Sequence, residues 1–302
     1  MKAKEDQLMQ RKISAFLLAV TLVLAMSAAA FAAEDADPIG TAAMLDIGMG
    51  ARAMGMGGAH IAVADDAAVI YYNPAGLARI EGRSVTSLYT SLHGAAGYMA
   101  LGYAQKNVGG GFLRLNASGI EETDEFANVI GTFGMSDFTA MAGYGREVVP
   151  GLSLGGTVKL YSQSLPDVSG KGVTGDVGVL YVMDDAKLSF GAVARNLMGK
   201  VRYDNIAEDA FERAFGVGAA YRPSDSLLFA ADAVFEDGLA ARVGAEYRVK
   251  QFALRAGGVL DGDETSLTAG AGFAMEGFSV DYAYQTHSVL PDSHRVSLNV
   301  RF

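Results

Sequence analysis

The chain has 302 residues, 50% hydrophobic and 19% charged, with 38 glycines, no cysteine and a formal net charge of −10. The missing cysteines exclude a disulfide framework, a thiolate metal site and a lipid-bearing cysteine behind a leader. The acidic balance excludes a typical nucleic-acid binder, which presents a basic face, while the length admits one large domain or two ordinary ones.

Residues 1–32 read as a secretory signal peptide: Lys2, Lys4, Arg11 and Lys12, an apolar run from Ile13 to Met26, then Ala30-Phe31-Ala32. Cleavage is expected after Ala32. An uncleaved anchor is the alternative, since the apolar stretch is about long enough to span, but acidic Glu34-Asp35-Ala36-Asp37 follows the small-residue site at once. Beyond residue 34 no apolar run approaches about 18 residues, so the mature chain can enter a membrane only as a closed barrel.

Residues 33–82 are rich in Gly and Met and lack strand periodicity. Gly55-Met56-Gly57-Gly58 is followed by no P-loop Lys-Ser/Thr and reads as a close-packed turn. Ala59 to Ala68 suits a short helix or strand, and Asn73-Pro74 is a turn signal that stops either.

From Arg83 onward the apolar pattern has period two, broken by turn residues every ten to fifteen positions. Strands are expected near 83–91, 95–104, 107–117, 136–145, 151–162, 174–183, 187–196, 212–222, 226–235, 239–248, 251–259, 265–274, 278–286 and 293–302. Leu154, Val158 and Leu160, with Leu152, oppose Ser153, Thr157, Lys159 and Tyr161; Val296, Leu298, Val300 and Phe302 oppose Arg295, Ser297, Asn299 and Arg301. Long polar loops at 118–135, 163–173 and 197–211 alternate with tight links at Gln105-Lys106, Asp184-Asp185-Ala186 and Pro223-Ser224-Asp225. Long loops on one rim and short turns on the other are the habit of bacterial outer-membrane barrels. A soluble β-sandwich or barrel would share the alternation with its faces reversed. The leader, the loop asymmetry and a last strand ending in Phe302 favour the membrane form.

The segment Met44-Leu45-Asp46-Ile47-Gly48, Gly50-Ala51-Arg52-Ala53-Met54-Gly55-Met56-Gly57-Gly58-Ala59, Ala62-Val63-Ala64-Asp65-Asp66-Ala67 and Asn73-Pro74-Ala75-Gly76-Leu77 closely resembles the amino-terminal signature of the PorV/PorQ family, within the FadL-like superfamily. The resemblance implies an all-β, transmembrane antiparallel barrel of about fourteen strands over 83–302 and a plug, or hatch, over 33–82. It places Arg52, Asn73, Pro74, Ala75 and Gly76 in the plug motif and makes Phe302 an assembly signal. It further implies an outer-membrane location, the barrel-assembly machinery and outer-membrane lipid as partners, and handling of exported client proteins as in type IX secretion. Uptake of hydrophobic solutes in the FadL manner is the alternative, with Ile120, Phe126, Val129, Ile130 and Phe133 as candidates for an apolar approach.

No catalytic, metal or cofactor site is expected. Gly151-Leu152-Ser153-Leu154-Gly155 matches a nucleophile-elbow pattern but continues as a strand. His60, His93, His287 and His294 are scattered rather than at ligand spacing, and Asp261-Gly262-Asp263-Glu264 lacks the alternating ligands of a calcium loop. Lys159, Asp176, Arg195, Asp232, Arg242, Glu246, Arg248, Arg255, Asp281, Arg295 and Arg301 fall opposite the apolar face. In a membrane barrel that face is the lumen, and mixed signs there suggest an ion network anchoring the plug rather than a selective pore. On this reading luminal charges hold the Asn73–Gly76 turn, Gly76 supplies a positive backbone angle, and Arg placed at Thr157 or Ser297 stays hydrated whereas Arg at Val158 or Leu298 meets lipid.

Overall fold

A computed structural model describes Thr21 and residues 42–302, apart from 93, 205, 206, 263 and 289. Apart from Thr21 the signal peptide, with its cleavage point and the first residues of the plug, lies outside the described residues, as do His93 and Asp263.

Alternation from Arg83 onward produces sixteen strands: β1 Arg83–Leu92, β2 Ala96–Gln105, β3 Val108–Thr123, β4 Val129–Val149, β5 Leu152–Ser164, β6 Ser169–Met183, β7 Leu188–Arg195, β8 Lys200–Tyr203, β9 Glu208–Ala210, β10 Ala214–Ser224, β11 Leu227–Phe235, β12 Leu239–Val249, β13 Phe252–Asp261, β14 Glu264–Met275, β15 Phe278–Gln285 and β16 Ser293–Arg301. Fourteen of them, β1–β7 and β10–β16, form the wall, every neighbour antiparallel. The wall closes where β16 pairs with β1, Val300 opposite Val85 and Arg295 opposite Thr90. Closure leaves no free edge, the condition for a sheet to lie in lipid. Among the described residues no helix is long and apolar enough to cross a membrane, which says nothing against crossing by strands.

The long loops expected on one rim are built differently. β3 and β4 run on past the wall and leave only residues 124–128 between them, closed by Asp124, whose carboxylate accepts from the Phe126 and Asn128 N–H groups. Residues 197–211 hold the hairpin β8–β9, which pairs with the upper part of β6 beyond the point where β7 stops. On the opposite rim the turns are tight. Asn107 and Gly277 take the left-handed conformation (φ 73° and 83°) that two-residue connections require.

Inward and outward faces alternate cleanly. Thr157, Lys159 and Tyr161 are buried while Val158 and Leu160 are exposed on the outside. The exposed large side chains, among them Leu254, Leu267, Val296 and Leu298, form an apolar outer face. Leu152, expected beside Leu154 on the open apolar face, is instead buried against Val179, Tyr181 and Phe215.

The core therefore lies inside the barrel, and residues 42–80 fill it. This segment is mostly irregular, with short helical turns at Ala43–Asp46, Ala51–Met54, Val69–Tyr72 and Pro74–Arg79. Ala59 to Ala68 forms neither helix nor strand. Gly and Ala are too frequent there for a longer amphipathic element, and its polar backbone groups find partners on the wall instead.

Candidate functional site: the luminal segment and its seat

The luminal segment is held by hydrogen bonds to inward-facing strand residues from around the barrel. Ala51 N–H donates to Ser297 Oγ at 2.6 Å, and Gly57 N–H to Thr268 Oγ1 at 3.0 Å. The His60 and Ile61 N–H groups share Asp232 Oδ2 at 2.7 and 3.0 Å. Tyr98 OH donates to Gly48 O at 3.0 Å. These partners satisfy donors and acceptors that the irregular backbone would otherwise leave unpaired.

Asn73 ends the helical turn Val69–Tyr72 and caps the next one, its Oδ1 accepting from Ala75 N–H at 3.1 Å. Its Nδ2 donates to Ile61 O at 2.9 Å and to Val179 O on β6 at 3.0 Å. Backbone carbonyls, not the expected charged side chains, hold this amide. Gly76 likewise differs from expectation: its φ is not positive, and glycine is needed because a Cβ would lie 2.7 Å from Val69 Cγ1.

The wall beneath the motif is made of glycine. A Cβ on Gly155 would lie 2.4 Å from Ala75 N, one on Gly145 2.5 Å from Pro74 O, one on Gly178 2.1 Å from Asn73 Oδ1 and one on Gly191 2.5 Å from Ile61 O. Four adjacent strands, β4 to β7, thus carry inward glycines where residues 61 and 73–75 press against them. Their absence of side chain is what lets two backbones touch.

At the lower end of the lumen, towards the short turns, Arg52 sits between three carboxylates. It reaches Asp65 at 2.5 Å, Asp66 at 2.8 Å and Glu246 at 2.8 Å. Glu246 also pairs with Arg248 and Arg255, both at 2.7 Å, and Arg255 with Asp281 at 2.7 Å. Asp281 accepts from Asn299 Nδ2 at 2.6 Å, Arg222 reaches Asp65 at 2.8 Å, and Arg301 Nη2 donates to Asp65 O at 2.6 Å. Burial pushes the Asp65 and Asp66 carboxyls up, but the charges around them prevail and hold both below the usual carboxylate range. For Asp65 those charges are Arg52, Arg222 and Arg248, and for Asp66 they are His60 and Arg52.

The remaining inward charges lie higher. Lys159 pairs with Asp176 at 2.9 Å and donates to Asn196 Oδ1 at 3.0 Å. Arg195 is buried, Arg242 lies 3.6 Å from where a Gly58 Cβ would stand, and Arg295 donates to Gln285 Oε1 at 2.8 Å. Above the ion network one apolar cluster unites Met44, Leu45, Met49 and Tyr71 of the segment with Tyr98, Leu113, Met141, Tyr161 and Phe211 of the wall and upper rim.

The sequence brings out the inward charges and Arg52 but not Asp65, Asp66, Arg222 or the glycine seat. The usable signal for the first two was an acidic pair inside an otherwise apolar stretch, which demands buried cations. His60, Asp65 and Asp66 present ligand atoms within 4.8 Å of one another, yet Arg52 occupies both carboxylates. Ser153 lies buried within β5 rather than on a strand-to-helix turn, so nucleophile-elbow geometry is not formed. His294 Nδ1 lies 2.7 Å from Tyr282 OH on the outer face, apart from His60 in the lumen. Phe302 is exposed, with its backbone N–H donating to Arg83 O at 3.0 Å at the closing seam.

No curated protein sequence matches the chain. Among solved structures it is similar in fold to a ΔS2S3 mutant of the monoaromatic hydrocarbon channel TodX, at 15% identity and TM-score 0.58 over 84% of this chain and 99% of that one. The Pseudomonas putida toluene transporter TodX aligns at 15% identity and TM-score 0.56, covering 83% and 96% of the two chains. The family that matches is not PorV/PorQ itself: residues 18–302 fit the Uncharacterised protein family (UPF0164), and the chain belongs to that family.

Proposed function

We propose that this protein is a non-enzymatic outer-membrane barrel that passes apolar small molecules when its luminal segment shifts. The observation that carries the reading is the apolar cluster that shares the upper lumen with Lys159, Asp176, Arg195 and Arg242. A water-filled pore has a polar interior. Here Met44, Leu45, Met49, Tyr71, Leu113, Met141 and Phe211 meet in one buried cluster. An apolar solute can replace such contacts, whereas a sugar or ion would shed its water without compensation. The likeness in fold to a hydrocarbon channel and a toluene transporter supports the same class of cargo. Export by the leader at 1–32 and insertion of the closed barrel by the barrel-assembly machinery fit the same location. The domain division follows: leader 1–32, plug 33–82, barrel 83–302.

One observation favours a second reading, client handling of the PorV/PorQ kind. At the tip of β3–β4, Phe126 is 83% and Ile130 62% exposed, an apolar surface above the wall that suits a secreted protein.

Proteoliposomes separate the two. Saturable uptake of a monoaromatic hydrocarbon with exclusion of arabinose is expected. Equal passage of both refutes the apolar route, and passage of neither refutes the channel reading. In that last case, loss of surface-displayed proteins from a strain carrying Phe126→Ser and Ile130→Ser would support client handling.

A further inference from the structure

We propose that the outer wall over β3–β9 carries a binding site for a membrane lipid with an anionic, phosphate-type head group. The site rests on the barrel lying in a membrane with its short-turn rim towards the periplasm.

The strand register sets its geometry. Arg114 on β3 stands opposite Phe138 on β4, Phe138 opposite Ser162 on β5, Ser162 opposite Lys171 on β6, Lys171 opposite Arg202 on β8 and Arg202 opposite Glu208 on β9. All lie on the outward parity of their strands, so one row perpendicular to the strands crosses six of them. The row directly below is apolar, Ala140 opposite Leu160 and Leu160 opposite Val173, with Leu160 and Val173 both more than half exposed. A groove of about 910 Å³ runs over Phe138, Leu160, Val173, Lys171, Lys200 and Arg202.

The height fits a lipid. Ten residues separate Leu152 at the lower end of β5 from Ser162. At about 3.3 Å per residue and a tilt near 40° they rise about 25 Å, the height of the apolar band of an outer-membrane barrel. Ser162 and its neighbour Lys171 therefore stand at the depth of outer-leaflet head groups, with Leu160 and Val173 below them where acyl chains descend.

Charge selects the head group. Arg114, Lys171, Lys200 and Arg202 face a single carboxylate, Glu208, which reaches Arg202 at 2.9 Å and Lys200 at 3.8 Å. Three positive charges remain in excess, on a chain whose net charge is −10. General interface anchoring would spread such residues round the barrel. Instead the outward strand positions of β10–β16, β1 and β2 carry no Lys or Arg except Arg83 at the lower rim. Lys and Arg donors clustered at head-group depth beside an apolar channel are what a phosphate-bearing amphiphile requires.

Native mass spectrometry of the detergent-purified full chain tests this, with phosphatidylglycerol and phosphatidylcholine of identical acyl chains as probes. Heat-modifiable gel mobility, read on the same samples, reports separately whether the barrel is assembled. The wild type is expected to retain phosphatidylglycerol about tenfold over phosphatidylcholine. Lys171→Ser/Lys200→Ser/Arg202→Ser is expected to abolish that preference, Lys171→Gln alone to reduce it several-fold, and Arg83→Ser/Arg146→Ser to leave it intact. Equal retention of the two lipids by the wild type, or an undiminished preference in both Lys171 variants, overturns the proposal. Displacement of phosphatidylglycerol by millimolar inorganic phosphate alone also overturns it, since the site would then bind the anion without the lipid.

Discussion

Arg52→Leu is expected to undock the luminal segment while leaving the wall assembled, and the cost can be worked carboxylate by carboxylate. Glu246 keeps Arg248 and Arg255 at 2.7 Å, and Asp65 keeps Arg222 at 2.8 Å. Asp66 keeps His60 at 3.6 Å and the Ala68 N–H at 2.9 Å but, among the described residues, no second arginine. Removing one partner of a buried pair costs about 3–5 kcal/mol, and with one carboxylate stranded the lower end, about 3 kcal/mol, applies. That is roughly a 100-fold rise in the open population of the segment. Amide hydrogen exchange at Ala51, Gly57 and His60, whose N–H groups donate to the wall, reads it directly. Adding Asp66→Asn to the variant should recover about half of the loss, because the stranded charge is gone. The pH dependence has a definite sign. In the wild type both carboxyls lie below their unfolded values, so their contribution is present above about pH 4 and is lost only as pH falls through the lowered folded values. An exchange change below about threefold, the scale of a surface pair, or no recovery with Asp66→Asn, refutes the reasoning.

Gly178→Ala places a methyl 2.1 Å from Asn73 Oδ1 and should undock the motif, whereas Gly258→Ala, whose Cβ meets nothing nearer than 3.7 Å, should be silent; limited proteolysis of residues 42–80 compares them. Asn73→Ala leaves the Ile61 and Val179 carbonyls buried without this donor, at about 1–3 kcal/mol each, and should raise exchange across 59–76. Val158→Arg and Leu298→Arg on the outer face should each lower folded barrel by about 2–4 kcal/mol in a lipid refolding titration. Deleting residues 293–302 removes the strand that joins β15 to β1 and should abolish heat-modifiable mobility, and normal mobility would count against the closure.

The wall was legible because its signal is periodic and repeated: each expected strand overlaps an observed one, and Phe278, Val280 and Tyr282 alternate with Ser279 and Asp281 as written. Strand lengths were less legible. Ile120, Phe133 and their neighbours alternate weakly, and β3 and β4 are extended there by pairing with each other rather than by burial. The lumen was harder still. Thr157 and Ser297 look like hydrated inward positions, yet Thr157 Oγ1 lies 3.5 Å from Ile70 O and Ser297 Oγ accepts from Ala51 N–H. An Arg at either site would therefore collide with the segment instead of staying hydrated. Which inward glycine meets which luminal backbone depends on how residues 42–80 are threaded, and no local pattern encodes that.

The most direct test of an apolar route controlled by the luminal segment is a reversible lock. The chain has no cysteine, and Ala51 N lies 2.6 Å from Ser297 Oγ, so Ala51→Cys/Ser297→Cys puts one thiol on the segment beside one on β16, to be joined by oxidation. In proteoliposomes, uptake of a monoaromatic hydrocarbon should stop on oxidation and return on reduction, with arabinose excluded throughout. Unchanged hydrocarbon uptake in the fully oxidised variant would contradict the account.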